Sequence, residues 1–410
     1  MADKTPEKLD KPTEAATDKL ASKPAEPAKA AAQAKDAVAH ARTKFRSLTD
    51  AHMPKDFSIS MDNLRKGGAD GFLLSKPTYA TPQQMRGFDP EYVNIVDYIV
   101  RITHRIWEEK DIGYIYDTYS HDCTVWDDLH LTFGRDKVVA DTITQSNAFP
   151  DLRVVADEVI WAGDDTVAFH SSHRTNIFGT NTGFSRFGAP TNKRVQFWCL
   201  ANCVMLDNEI FHEHVVYDTV GLLQQMGFDP VAVARAQLEE GRALPRDFAG
   251  AETARLIGQA KPQEQAIPST AEGSPEGFVR AALHTLWNRR NLKAVEQVYA
   301  ESAFAQMTAG RVFRGHGQLR SFILSMMAMF PDLAHVIEDL YWMGNETDGY
   351  LVAVRWSMLG THRGNGRYGP PTGKETHIWG ITHWVIEGGK VTKEWTMFNE
   401  FGLLVQLQDQ

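Results

Sequence analysis

Val96, Ile99, Ile102, Ile106 and Trp107 recur with the three-to-four spacing of a single helix face. A second helical stretch, RDKVVADTITQSNAF, follows Gly134 and stops at Phe149-Pro150. Proline biases the residue before it away from helical angles, so FPDL marks a helix-to-strand corner. Beyond it the period drops to two. VVADEVIWAG, DTVAFHSSHRTNI, KRVQFWCLANCVML and EIFHEHVVYD read as strands, the last two joined by a hairpin at Asp207-Asn208. Helices first, then a meander of long antiparallel strands, predict an α+β unit in which a curved sheet wraps its N-terminal helices around a cavity.

The whole pattern returns in the second half of the chain. FPDLRVVADEVIWAG at 149–163 is answered by FPDLAHVIEDLYWMG at 330–344, and 23 of the 75 residues from Phe149 to Leu223 are identical to those 181 positions further on. Upstream, THRIWEEKDIGYIYDTY at 103–119 pairs with LHTLWNRRNLKAVEQVY at 283–299, offset by 180. The chain is thus a tandem duplication of a unit far longer than a solenoid repeat, and each copy should carry its own core. The expected organisation is an Ala/Lys/Pro-rich disordered tail at 1–50, an irregular arm at 51–87, one domain at 88–228, a partly helical linker at 229–273, and a second domain at 274–410.

The run WEEKDIGYIYDTYSHDCTVWDD, then FPDL, and in the second copy VAVRWSMLGTHRG, GPPTGKE, IEGGKVTKEW and a final GLL, together resemble the SnoaL-like polyketide cyclase / ester cyclase group of the nuclear transport factor two-like superfamily. The resemblance covers roughly 88–228 and 274–407 and implies two cone-shaped domains, each a curved, mostly antiparallel sheet around helices. It also implies a small-molecule pocket worked by proton transfer without a cofactor, and sheets that commonly pair. An internal pseudo-dimer, with a homodimer as a further step, is the corresponding expectation. Members of the group carry an Asp two positions before the last aromatic of the final strand and a His on the strand before it. The Asp position falls on Val215 and Thr396, and the His position near Ala201 and Thr382, so the usual acid/base pair is absent from both copies.

Bulk properties narrow the partners. With 43% hydrophobic and 10% aromatic residues and a formal net charge of -9, the chain reads as a soluble protein that repels phosphate backbones. It has no apolar run long enough for a membrane span and no secretory leader, so neither nucleic acid nor membrane is expected. Its three cysteines, Cys123, Cys199 and Cys203, form no CxxC pair. A cytoplasmic setting is the simplest.

Strand alternation sorts the candidate chemistry into two faces. Glu213, Val215 and Tyr217 share one side of their strand, and His212, His214, Val216 and Asp218 the other. Glu213, matched by Glu394, is the best substitute carboxylate, with a hydrogen-bonded structural role as its alternative. His214 and Asp218, with Asn202 on the neighbouring strand and His383 in Asn202's place in the second copy, form either a site or a face on which two sheets pack. His173 is a further catalytic candidate, on the face opposite His170. The matched Arg174 and Arg355 suit a carboxylate or enolate or else bridge strands. Trp126, Asp127, Trp198 and Tyr217 complete the candidate substrate contacts. The histidines of the first copy form no readable ligand set, so no metal is expected. The leading expectation is acid/base chemistry in the first copy on a small, partly apolar carbonyl or hydroxyl compound: isomerisation, dehydration or ring closure. The rival is a non-catalytic binding or dimerisation module.

Overall fold

A computed structural model of the protein describes residues 47–65, 80–239, 266–272 and 274–408. The tail expected to be disordered lies outside the described residues up to position 46, as does the middle of the expected linker. No described helix is long and apolar enough to cross a membrane.

Helix α1 (Ile95–Trp107) opens the first copy, with Asn94 accepting a hydrogen bond from the Asp97 amide at 2.9 Å to cap its free N-terminus. Its predicted apolar stripe is buried at Val96, Ile99, Ile102 and Ile106, with Trp107 half-buried. Strands β1 (Tyr119–Trp126) and β2 (Leu131–Phe133) follow, then α2 (Arg135–Ala148). The FPDL corner leads into β3 (Arg153–Asp164), β4 (Ala168–Thr180), β5 (Arg194–Leu206) and β6 (Glu209–Tyr217). The order across the sheet is β2-β1-β6-β5-β4-β3, with every pairing antiparallel except β1 with β6. The β5–β6 turn has Asp207 and Asn208 at φ 52° and 69°, the left-handed pair that a two-residue hairpin matching strand twist requires. Helices α3 (Thr219–Met226) and α4 (Pro230–Glu239) close the copy.

The second copy repeats this plan. After α5 (Pro275–Leu283) come β7 (Tyr299–Met307), β8 (Arg311–Arg314), α6 (Gly315–Met329), β9 (Ala334–Asn345), β10 (Gly349–Thr361), β11 (Glu375–Glu387), β12 (Lys390–Phe398) and α7 (Glu400–Gln408). Its sheet order is β8-β7-β12-β11-β10-β9. Each sheet carries a bulge at the same place, with Asp157 and its counterpart Glu338 as the extra residues. Such insertions raise local twist and help the sheet curl around its helices.

The sheets pack against each other through the faces turned away from their helices. Trp198, Leu200 and Val216 meet Trp379, Ile381 and Met397, their own counterparts 181 residues on, in one buried cluster. Around it His383 Nε2 lies 2.6 Å from Ser172 Oγ, and the Arg174 guanidinium sits 4.1 Å from the centre of the Trp395 ring. The N-terminal arm straps both copies. The Pro54 carbonyl accepts from the Gly344 amide at 2.9 Å, the Trp161 indole donates to the Ile59 carbonyl at 3.0 Å, and Arg65 donates to the Ala156 and Asp157 carbonyls.

Candidate active site

The cone of the first copy is hollow. An inner recess of about 70 Å³ lies between α1 and the inner faces of β4, β5 and β6, walled by Ile99, Ile102, His173, Thr175, Cys199, Ala201 and Cys203 among others. An outer chamber of about 510 Å³ reaches towards α2 and the 185–187 loop. The two share Ile106, Trp107, Tyr119, Gln145, Glu213, Val215 and Tyr217, so Glu213 stands where they meet. Small side chains at Cys199, Ala201 and Cys203 leave the room, and the thiols are spectators, because burial pushes Cys199 up to about 12 and Cys203 well above its usual range.

Glu213 has one hydrogen-bond partner among the described residues. The Tyr119 hydroxyl donates to Oε2 at 2.9 Å, leaving Oε1 for the cavity. Burial pushes the carboxyl up to about 7, against the pull of the Tyr119 hydrogen bond, which favours the ionised form. A carboxyl near neutrality can both take and give a proton at ordinary pH.

The second copy supplies an internal contrast. Its hollow is about 40 Å³, because Trp356 and Trp384 stand where the first copy has Thr175 and Cys203. Glu394 is buried and accepts from Tyr299 at 2.6 Å, the Trp384 indole at 3.0 Å and Thr396 at 2.6 Å. Thr396 and Thr382 bond each other at 2.8 Å, and Trp356 donates to Thr382 at 2.9 Å. Both carboxylate oxygens of Glu394 are thus bonded within the wall of this small hollow.

The remaining candidates separate by face. Tyr217, His173 and Asp127 line the first cavity, Asp127 at its mouth, where Arg186 Nη1 approaches Asp127 Oδ2 at 2.8 Å and Nη2 approaches the buried Asp128 at 3.2 Å. The Arg186 charge and hydrogen bonds from His130 and the Leu129 amide hold Asp127 well below the usual carboxylate range despite its burial. His214, Asn202, Trp198, Trp126, Arg174, Arg355 and His383 line neither the recess and chamber of the first copy nor the hollow of the second. Because alternate side chains leave opposite faces of a strand, they point to the packed side of the sheets. His214 stacks on Trp126 at 5.7 Å and meets the Trp379 ring edge-on, and its charged form is disfavoured by burial and by Arg355 and His212. The Ser172 hydroxyl donates to Asn202 Oδ1 at 2.6 Å, and Arg174 pairs with Asp157 at 3.0 Å. Arg355 lies opposite Asp339 on the neighbouring strand. Asp218 caps α3 through the Gly221 amide at 3.2 Å and accepts from the Ala309 amide of the second copy at 2.6 Å, so its carboxylate is spent on structure.

Sequence alone does not single out Tyr119, Gln145 and Arg186. For Tyr119 a signal existed, since it aligns with Tyr299 at the 180-residue offset. Arg186 likewise recurs as Arg367. Among the described residues, no group of three or more His, Cys, Asp or Glu is placed to hold a metal.

A family model described as SnoaL-like polyketide cyclase matches residues 98–226 and 278–407. Among solved structures, the chain is similar to wild-type IdmH from Streptomyces antibioticus, at 22% identity over 32% of this chain and 96% of that one, with a TM-score of 0.28. It is similar to TsrD from Streptomyces laurentii at 18% identity over 32% and 92%, with a TM-score of 0.28. A protein from Catenulispora acidiphila described as having a ketosteroid isomerase-like fold matches at 16% identity over 31% and 90%, with a TM-score of 0.26. Among curated proteins no match was found.

Proposed function

The chain belongs to the SnoaL-like polyketide cyclase family over both of its halves, and from that premise we propose that its first copy carries out cofactor-independent proton transfer on a small, partly apolar compound, with Glu213 as the proton carrier and the second copy as scaffold. One observation carries this reading: two aligned glutamates on aligned strands, one held by three donors beside a hollow of about 40 Å³, the other with a single donor where a recess opens into a chamber of about 510 Å³. The reactions in view are isomerisation, dehydration or ring closure. Each needs a base that removes a proton and later returns it, and a carboxyl near neutrality fits both halves of that cycle. The apolar walls favour a substrate with a hydrophobic body, and the polar mouth at Asp127 and Arg186 favours one with a polar end.

The test is deuterium exchange from solvent into a panel of cyclic 1,3-diketones and β-keto esters, followed by NMR. Glu213→Gln should slow enzyme-dependent exchange by about a hundredfold or more, the usual weight of a general base, while ligand affinity stays within about threefold. Exchange that is indifferent to the substitution would remove the catalytic reading and leave a binding pocket.

A further inference from the structure

We propose that the Tyr217 hydroxyl and the Gln145 amide together bind a neutral hydroxyl group of the substrate, on a part of the molecule remote from the carbon at which Glu213 acts. The inference rests on Glu213 as proton carrier and narrows the substrate class to compounds that carry an alcohol or phenol at a distance from the reacting C–H bond.

Both side chains line the recess as well as the chamber, as Glu213 does. The Tyr217 hydroxyl and both polar atoms of the Gln145 amide keep contact with open space, and none of the three bonds a described residue. They stand over the same end of the cone. Gln145 lies one turn before Phe149 at the end of α2, and the Phe149 ring packs 6.5 Å from that of Phe197 on β5. Two residues further along the same face of β5, Cys199 pairs with Tyr217.

The second copy keeps the shapes and lacks the polar atoms. The residues 181 positions on are Met326 and Phe398, and both line its hollow of about 40 Å³, beside Glu394 and Tyr299. Methionine for glutamine and phenylalanine for tyrosine conserve volume, so the fold of the cone does not require an amide or a phenol at these places. Polar atoms that are present only beside the larger cavity, and that no protein group satisfies there, serve what enters it.

The chemistry of the pair selects the group it takes. A phenol and a carboxamide can each donate and accept, as an alcohol can, so one ligand hydroxyl satisfies both. Burial, with Cys199, Glu213 and Asp127 nearby and against the pull of Arg186, holds the Tyr217 hydroxyl well above its usual range, which keeps it a donor. The Glu213 and Asp127 carboxylates also disfavour an anion at this place, so the group is a neutral hydroxyl and not a carboxylate or phosphate. Glu213 and Tyr217 are four residues apart on one strand face, about 13 Å between backbones, so a ligand that reaches both carries its hydroxyl well away from the reacting carbon.

The experiment titrates the full chain with 4-(4-hydroxyphenyl)cyclohexanone and 4-phenylcyclohexanone, which share exchangeable C–H bonds beside the carbonyl and differ only in the distal hydroxyl. The unaltered chain should bind the hydroxylated ketone at least about tenfold more tightly, because the analogue without it leaves the site's polar groups unpaired. Tyr217→Phe and Gln145→Met, which install the second copy's own side chains, should each cut that preference about threefold or more and together erase it, while affinity for the phenyl ketone stays within about twofold. A purely structural role would instead weaken both ketones alike. No binding of either ketone, no preference in the unaltered chain, a preference that survives the double substitution, or equal weakening of both ketones overturns the proposal. Deuterium exchange into the ketones that needs Glu213 but shows no hydroxyl preference overturns this inference alone. A preference that needs both residues, alongside exchange indifferent to Glu213→Gln, supports the hydroxyl site and removes the proton carrier.

Discussion

Glu213 is ionised only against the reluctance of its surroundings, and that has consequences in both stability and rate. Its carboxyl sits at about 7, raised from 4.5 by burial, so folding favours its neutral form. The stabilisation is fully present below about pH 4.5 and is lost as pH rises through 7, where holding the charge costs about 3 kcal/mol. Glu213→Gln, which cannot ionise, should therefore melt with the wild type at pH 4.5 but several degrees above it at pH 8.5; equal melting curves at both pH values would show that the carboxyl is solvated. The rate should depend on pH in the opposite sense, since a base must be ionised: exchange rises with pH and levels above about 7. Tyr119→Phe removes the one donor that favours the charged form and should shift this inflection upward, with kcat falling most at pH 6. A downward shift in the pH profile would contradict the assignment.

At the scale of elements, much was legible. Both FPDL corners fall where α2 gives way to β3 and α6 to β9, and the strands begin and end within a few residues of their alternating patterns. Alternation also separated Glu213 from His214, the division between cavity and packed face. Sequence did not show β1 inserting parallel beside β6, a pairing between segments some ninety residues apart, nor the bulges at Asp157 and Glu338. It left open which cone is hollow, because volume is a property of several strands together, although the signal was present as cross-strand pairs. In the second copy Trp356 lies opposite Gly380, where a Cβ would stand 2.5 Å from the Met397 carbonyl and 2.7 Å from the indole; in the first copy the same pair is Thr175 and Cys199. The large residue is thus admitted by the small one. Thr175→Trp alone should lose about 1–3 kcal/mol to overpacking against Cys199. Thr175→Trp with Cys199→Gly should recover most of that loss while abolishing enzyme-dependent exchange, as thermal melts and the exchange assay would register. Additive effects of the two substitutions would refute this account of the filled cone.

The two copies pack through equivalent faces of their sheets, and their interiors differ: a recess and a chamber of about 510 Å³ in the first, a hollow of about 40 Å³ in the second. The cluster of Trp198, Leu200 and Val216 against Trp379, Ile381 and Met397 is the centre of an interface between near-equivalent surfaces. At its edge Gly402 of α7 lies so close to the first copy that a Cβ there would stand 2.3 Å from the Asp128 carbonyl, and Arg235 of α4 reaches Gln408 at 2.9 Å. Asp128 in turn partners Arg186 at the cavity mouth, so the second copy braces the walls of the first without lining its pocket. Residues 47–239 expressed alone should therefore expose an apolar sheet face with buried polar groups left unpaired, and should aggregate or self-pair. Co-expressed with 266–410, they should elute as a one-to-one complex whose exchange rate is within about threefold of the intact chain, measured by light scattering and the exchange assay. A monomeric, cooperatively melting 47–239 fragment that catalyses exchange unaided would show that the second copy contributes nothing to holding the cavity open.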